Sequence, residues 1–161
     1  MPDRFTIRDP RLPDDRPALV SFIDGLQHYE HNFESNRRID ARAGEDYFAV
    51  LLQRIAEHQG RIFVAEADGQ PIGWAVFLVE EDFIYVIEDQ RTYGYIAELF
   101  VNESVRGQGV GQALIKACED EGRSRGLKRM MIGVIPANER AAKVYAEAGY
   151  SPYAMELRKF L

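Results

Sequence analysis

The residues best suited to chemistry are Arg106-Gly107-Gln108-Gly109-Val110-Gly111, which come after the strand-like run ending Leu99-Phe100-Val101 and open a helix-like run. A helix N-terminus carries unpaired N–H groups and roughly half a positive charge, and glycines there let an anion approach the backbone closely. The chemistry is anion binding, phosphate above all. Arg106 reads either as a charge-assisted contact to that anion or as an ordinary surface side chain. Spacing separates the kinds of phosphate loop. A Walker A loop ends in Gly-Lys-Ser/Thr, whereas Gly111 is followed by Gln112-Ala113. A dinucleotide loop needs G-x-G-x-x-G and an acid closing the next strand, whereas here the glycines stand at 107, 109 and 111 and that strand ends Gly133-Val134-Ile135-Pro136. Neither nucleotide loop fits.

Other reactive side chains say less. His28 and His31 flank Glu30 at a three-residue step, but they fall where a helix frays and imply no third ligand, so no metal site is expected. The lone Cys118 lies in an apolar helical stripe and reads as core. Glu80, Glu81, Asp82, Glu88 and Asp89 form an acidic group, either a solvated face or the flank of a site for a cationic ligand.

The elements around these residues are set by periodicity. Phe5 to Arg8 predicts a short strand, and Asp14 or Asp15 is placed to cap a helix with Pro17 in its first turn and Ala18, Leu19, Phe22, Ile23 and Leu26 on one face. A second helix is predicted over 42–58, stopped by Gly60, with a polar irregular stretch over 28–41 between the two. Residues 61–67 and 72–79 read as a hairpin about Asp68-Gly69. The apolar patch Phe83 to Ile87 is either a strand extension or a loop packed on the sheet. Beyond it come a strand over 94–101, a helix over 110–125, a strand over 129–135, a helix over 139–148 and a final strand over 153–157. The sheet is therefore expected to be mixed, antiparallel first and partly parallel later, in one domain spanning 1–161.

With 161 residues the chain can bury one sizeable core, and no apolar run approaches the roughly 20 residues that cross a bilayer. The N-terminus has neither an apolar h-region nor a small-residue cleavage site, and the expectation is a cytoplasmic protein. A formal net charge of −6 argues against a general nucleic-acid binder and favours a cationic partner.

The glycine loop and the second half of the chain resemble the GNAT superfamily of acyl-CoA-dependent N-acetyltransferases. Arg106-Gly107-Gln108-Gly109-Val110-Gly111 matches the Arg/Gln-x-x-Gly-x-Gly/Ala signature, and the likeness runs from about Gly94 to Tyr150, taking in Asn138 to Tyr145 and Gly149-Tyr150. One departure is Asn102-Glu103 where many members carry a proline two residues past the strand's last valine. The resemblance implies an α/β (α+β) fold with a mixed, mostly antiparallel sheet of about six to seven strands, about four helices, and a cleft where the fourth and fifth strands splay apart. It implies acetyl-CoA as cosubstrate, with the pantetheine arm along the backbone of Leu99, Phe100 and Val101. The pyrophosphate would lie on the amides from Arg106 through Gly111, with Gln112 at the loop's end, and a strand N–H of Phe100 or Val101 would polarise the thioester carbonyl. Asn138 is both a helix cap and a coenzyme contact in this reading. Tyr145 becomes the acid that protonates the leaving thiolate, although alone it reads as a tyrosine packed on the sheet. Glu98 is the nominated base, directly or through water, against the alternative of a solvated edge carboxylate. The acceptor is a primary amine of a small molecule or peptide, cationic like a polyamine if the acidic group lines the cleft, and the family suggests a homodimer. The competing reading is an acyl-CoA sensor or structural module without transfer.

Overall fold

The computed structural model describes residues 4–161, so the reading of Met1 to Asp3 lies outside the described residues. Strand β1 (Thr6–Arg8) leads to helix α1 (Arg16–His31) and helix α2 (Ala43–Glu57), followed by β2 (Arg61–Ala67) and β3 (Gln70–Glu81). A single turn α3 (Glu88–Arg91) precedes β4 (Thr92–Val101), and then come α4 (Val110–Ser124), β5 (Met130–Ile132) and α5 (Glu139–Glu147). The strands form one sheet in the order β1-β2-β3-β4-β5, antiparallel throughout except for the parallel pair β4 and β5. No helix among the described residues is long and apolar enough to cross a membrane.

Period-two alternation in the strands sorts their side chains onto two faces. On one face Ile62, Val64, Trp74, Val76 and Leu78 pack against Leu19, Phe22 and Ile23 of α1 and Phe48 and Leu51 of α2. On the other, Phe63, Ala65, Ala75, Phe77 and Ile96 pack against Val110, Leu114, Ile115 and Cys118 of α4. Cys118 is wholly buried, and burial pushes its thiol up to about 12, which leaves it an inert core residue.

Among the described residues the sheet has five strands and there are five α-helices, against the expected six to seven and four. The missing strands have separate causes. Phe83 to Ile87 turns back through the Val86 N–H to Phe83 carbonyl bond and Arg91 donating to the Val86 carbonyl, which leaves its apolar side chains in solvent. Tyr153 to Leu157 alternates as a strand should, but joins no ladder and stays exposed. The strand expected over 129–135 pairs only from Met130 to Ile132. Asp15 does stand at the start of α1, yet its carboxylate does not cap the helix. It is held instead by Arg8 at 2.7 and 3.0 Å and by the Arg11 N–H at 2.6 Å, tying the first helix to β1.

Candidate functional site

The site begins where two strands part. β4 pairs with β5 only from Gly94 to Ile96, while on its other side it stays paired with β3 as far as Val101. Val76 stands opposite Glu98 and Phe77 opposite Ile96, so Ala97 is an extra residue without a partner. Such a bulge bends its strand and re-aims the side chains beside it. Beyond it, residues 97–101 present one backbone edge to a cleft of about 450 Å³, whose far wall is Gly133, Val134 and Ile135. That volume falls in the usual range for a small-molecule site.

The glycine loop closes one end. Gly107 and Gly109 have φ of +75° and +86°, and a Cβ added at either would meet nothing within 4 Å. The glycines are there for the backbone turn and for open space in front of it. The amides from Gly107 to Gln112 have no hydrogen-bond partner within the described fold. They stand at the start of α4, where the helix dipole adds to them. Arg106 donates from Nε to the Val101 carbonyl at 2.9 Å, its guanidinium 5.6 Å from the Phe100 ring centroid. Arg140, in the first turn of α5, lines the same cleft. Burial, and next the charge of Arg140, lower the pKa of Arg106 below the ordinary arginine value. Two guanidinium groups lining one cleft favour an anion there. Asn138 is buried and accepts the Ala141 N–H at 3.1 Å, capping α5, while Gln112 donates to the Val144 carbonyl at 3.3 Å and ties the two helices together.

Carboxylates mark the other end. Glu98 is only 5 % exposed, which rules out the solvated edge carboxylate. The bulge turns it into the layer of α1 and α2, where the Tyr47 hydroxyl donates to Oε1 at 2.6 Å and Oε2 is buried without a partner. Burial raises its pKa to about 7, against a smaller lowering by the Tyr47 bond; Glu30 pushes it further up and Arg54 down. Glu30, from the last turn of α1, lines the cleft and is held by Arg37 Nε at 2.8 Å. Tyr145 lines the cleft, and its hydroxyl makes no hydrogen bond among the described residues; burial, then the charge of Glu30, raises its pKa to about 12.

Every candidate residue other than Gln108 and Glu98 thus faces one cleft. Gln108 points away and donates to the Ser104 carbonyl at 3.4 Å, and Glu98 stands behind the cleft wall. The acidic group does not line the cleft: Glu80 pairs with Arg54 and His58, and Asp82 with Arg129. His28 and His31 each bond a backbone carbonyl through Nδ1, of Asp24 and Arg37 respectively. Sequence reasoning missed Tyr47, Glu30 and Arg140. Arg140 stood two residues past Asn138 and was within reach of a reading by spacing, whereas nothing near Tyr47 in the chain announces Glu98, 51 residues away.

A mixed sheet that opens beside a helix N-terminus, with free amides, two arginines and a half-buried tyrosine in one cleft, makes a site suited to a ligand with a phosphate-bearing handle. Residues 25–150 match the Acetyltransferase (GNAT) family, and the chain belongs to it. It is 28% identical over 156 residues to an IAA acetyltransferase of Azospirillum brasilense, covering 94% of this chain and 86% of that one. It is 26% identical over 113 residues to an aminoglycoside N(6')-acetyltransferase type 1 of Stenotrophomonas maltophilia, covering 70% of each chain. The fold matches the structure of AAC(6')-Iy in complex with the bisubstrate analogue CoA-S-monomethyl-acetylneamine, with a TM-score of 0.64 and 22% identity over 98% of this chain and 99% of that one. Acetyl-CoA is the cosubstrate of this family. The open glycine cradle, with its unpaired amides and with Arg106 and Arg140 on the same cleft, fits the phosphates of that molecule.

This geometry sets two outcomes. Gly109→Asp should abolish measurable acetyl-CoA binding in calorimetry while the far-UV dichroism stays native: the side chain meets no neighbour, the φ of +86° strains the loop backbone alone, and a carboxylate is set against phosphate. Glu98→Gln should change how stability depends on pH. Between about 4.5 and 7 the native state keeps a proton on Glu98 that the unfolded chain has lost, so stability falls as pH rises through that window. The penalty above it is on the order of 3 kcal/mol, and urea denaturation at pH 5 and pH 8 should show the variant free of this fall.

Proposed function

We propose that this chain transfers acetyl from acetyl-CoA to a primary amine of a small molecule or peptide by direct nucleophilic attack, with the whole chain acting as one catalytic domain. The observation that carries the reading is a cationic end and a carboxylate end within reach of one cleft, separated by the unpaired backbone edge of β4. Such polarity orients a donor whose phosphates go one way and an acceptor whose positive charge goes the other.

The amides from Gly107 to Gly111, with Arg106, Arg140 and the end of α4 carrying Gln112, hold the pyrophosphate. The edge of Leu99, Phe100 and Val101 aligns the pantetheine arm, with Asn138 beside it, and an N–H of Phe100 or Val101 stabilises the carbonyl oxygen as charge grows on it. Acetyl-CoA supplies a thioester whose C–S bond breaks as the amine nitrogen forms its bond to the carbonyl carbon. Glu98 accepts the ammonium proton through a water at Oε2, the oxygen without a partner, and its pKa near 7 suits a base working near neutrality. Tyr145, protonated at neutral pH, gives its proton to the departing sulfur. Glu30 at the cleft surface favours a cationic acceptor, a polyamine or an aminoglycoside-like amine. Assembly as a homodimer belongs to the same reading.

Thiol release from acetyl-CoA across a panel of polyamines, aminoglycosides and lysine-bearing peptides tests the function. Turnover on a cationic amine is expected, whereas tight acetyl-CoA binding with no turnover on any amine would return the chain to the sensor reading. Tyr145→Phe should lower kcat by roughly 10²-fold while acetyl-CoA affinity changes by less than about threefold. An unchanged kcat removes Tyr145 from the acid role. Tyr47→Phe removes the bond that lowers the pKa of Glu98, so the acid limb of kcat/KM should move to higher pH.

A further inference from the structure

Arg106 is held differently from other arginines drawn into the fold. Arg8, Arg125 and Arg129 are each paired with a carboxylate, that of Asp15, Glu121 and Asp82 respectively. Arg106 makes no ion pair among the described residues, although it is half-buried and burial disfavours its charge. Its guanidinium lies 5.6 Å from the Phe100 ring centroid and 5.9 Å from that of Tyr29. Both fall within the roughly 6 Å over which a ring face attracts a cation. The chemical difference matters for an anion site. A carboxylate would hold the guanidinium and cancel its charge, whereas an aromatic face holds it and leaves the charge for a ligand.

Both rings belong to one assembly built on α1. Phe22, Gly25 and Tyr29 follow one another at three- and four-residue steps, so they share a face of that helix. Phe22 stacks on Phe100 at 5.5 Å, Gly25 leaves the space that the Phe100 ring occupies, and Tyr29, one turn further on, takes Arg106 over its ring. Phe33, just past the helix, meets Tyr29 edge-on at 5.3 Å with the ring planes 77° apart, which limits the orientations open to the Tyr29 ring. From the side of the sheet, the Val101 carbonyl accepts from Arg106 Nε at 2.9 Å. The guanidinium is thus fixed at Nε and over two rings, and it lines the cleft beside the glycine loop.

We propose that Tyr29 is a positioning residue for the coenzyme: together with Phe100 it clamps the Arg106 guanidinium beside the glycine loop, with its charge uncancelled and its side chain already ordered when the phosphates of acetyl-CoA arrive. Ordering a side chain of this length at the moment of binding costs up to roughly tenfold in affinity, and the clamp removes that cost in advance. The aromatic contact also offsets part of what the guanidinium loses in hydration, which Arg140 on the same cleft cannot do because its charge has the same sign. The inference rests on the assignment of Arg106 to the pyrophosphate in the function proposed above, and names the residue on α1 that makes that arginine effective.

Calorimetric titration with acetyl-CoA of Tyr29→Leu, Tyr29→Phe, Arg106→Ala and the double variant Tyr29→Leu with Arg106→Ala tests it. Tyr29→Leu keeps an apolar helix former on α1 and should raise Kd about fivefold, while Tyr29→Phe keeps the ring and should stay within about twofold of the wild type. In the Arg106→Ala background, Tyr29→Leu should cost no more than about 1.5-fold, because the ring has no guanidinium left to hold. Tyr29→Met repeats the comparison with a second ring-free side chain, and far-UV dichroism of each variant checks that it is folded. An equal loss in both backgrounds means that Tyr29 acts on the coenzyme or the fold independently of Arg106, and overturns the inference. Wild-type affinity in Tyr29→Leu overturns it too, while Arg106→Ala that still weakens binding leaves the phosphate assignment standing. Wild-type affinity in Arg106→Ala removes that assignment and the inference with it. None of these outcomes bears on acetyl transfer, which the amine panel tests separately.

Discussion

The parting of β4 from β5 after a single three-residue ladder is the constraint on which the site depends. Had the ladder continued to Val101, the backbone edge now facing the cleft would be consumed and Gly133 to Ile135 would close over it. Two local features prevent this. The extra Ala97 bends β4 away at the point where pairing stops, and β3 holds the bent half in place through Leu99, Phe100 and Val101. Phe100 is then fixed from outside the sheet by the Phe22 ring, 5.5 Å away, and by Gly25, where a Cβ would come within 2.8 Å of the Phe100 ring. A strand edge is thus kept open inside the protein, rigid on one side and available on the other. That is the condition for lining up an extended ligand without reorganising the fold.

The same bend distributes charge. The segment leaving β4 delivers Arg106 and the amides of α4 to one end of the cleft, while the bulge sends Glu98 into the helical layer behind the other. Like charges reinforce each other at both ends: burial and Arg140 both act on Arg106, and burial and Glu30 both act on Glu98 and Tyr145. Each end is therefore prepared for a charge of opposite sign or for a proton transfer, with Arg106 held by the Val101 carbonyl, Glu98 by Tyr47 of α2 and Glu30 by Arg37.

Legibility in the sequence tracked the range of the interactions. The glycine loop and the Asn138 cap were readable because helix starts are local, and residues within a turn of each other announce them, whereas the role given to Tyr145 came only from the family resemblance. The hairpin and the four longer helices were readable by periodicity for the same reason. What failed was long-range or decided by competition. Alternation in Tyr153 to Leu157 is real, but a strand needs a partner and alternation cannot supply one. Asp15 could cap α1, yet Arg8 offers a charge-assisted bond that outcompetes the helix amides. The bulge at Ala97 left no mark in composition, and with it went the direction of Glu98 and the role of Tyr47.

Glu98 is the residue whose position folding alone explains least. Its neighbours on that face of the sheet are Trp74, Val76 and Leu78, and a carboxyl among them costs stability through desolvation and an unpartnered Oε2. Tyr47 satisfies only one oxygen, and its bond favours the charged form that burial disfavours. The result is a carboxyl balanced near neutrality rather than one settled in either state. A methionine or glutamine would pack the same space without that conflict, as apolar residues do around it. Local rules broken without compensation in the fold tend to mark function, and here the breach sits at the bulge that opens the cleft. The strand distortion and the poised proton are therefore two consequences of one extra residue in β4.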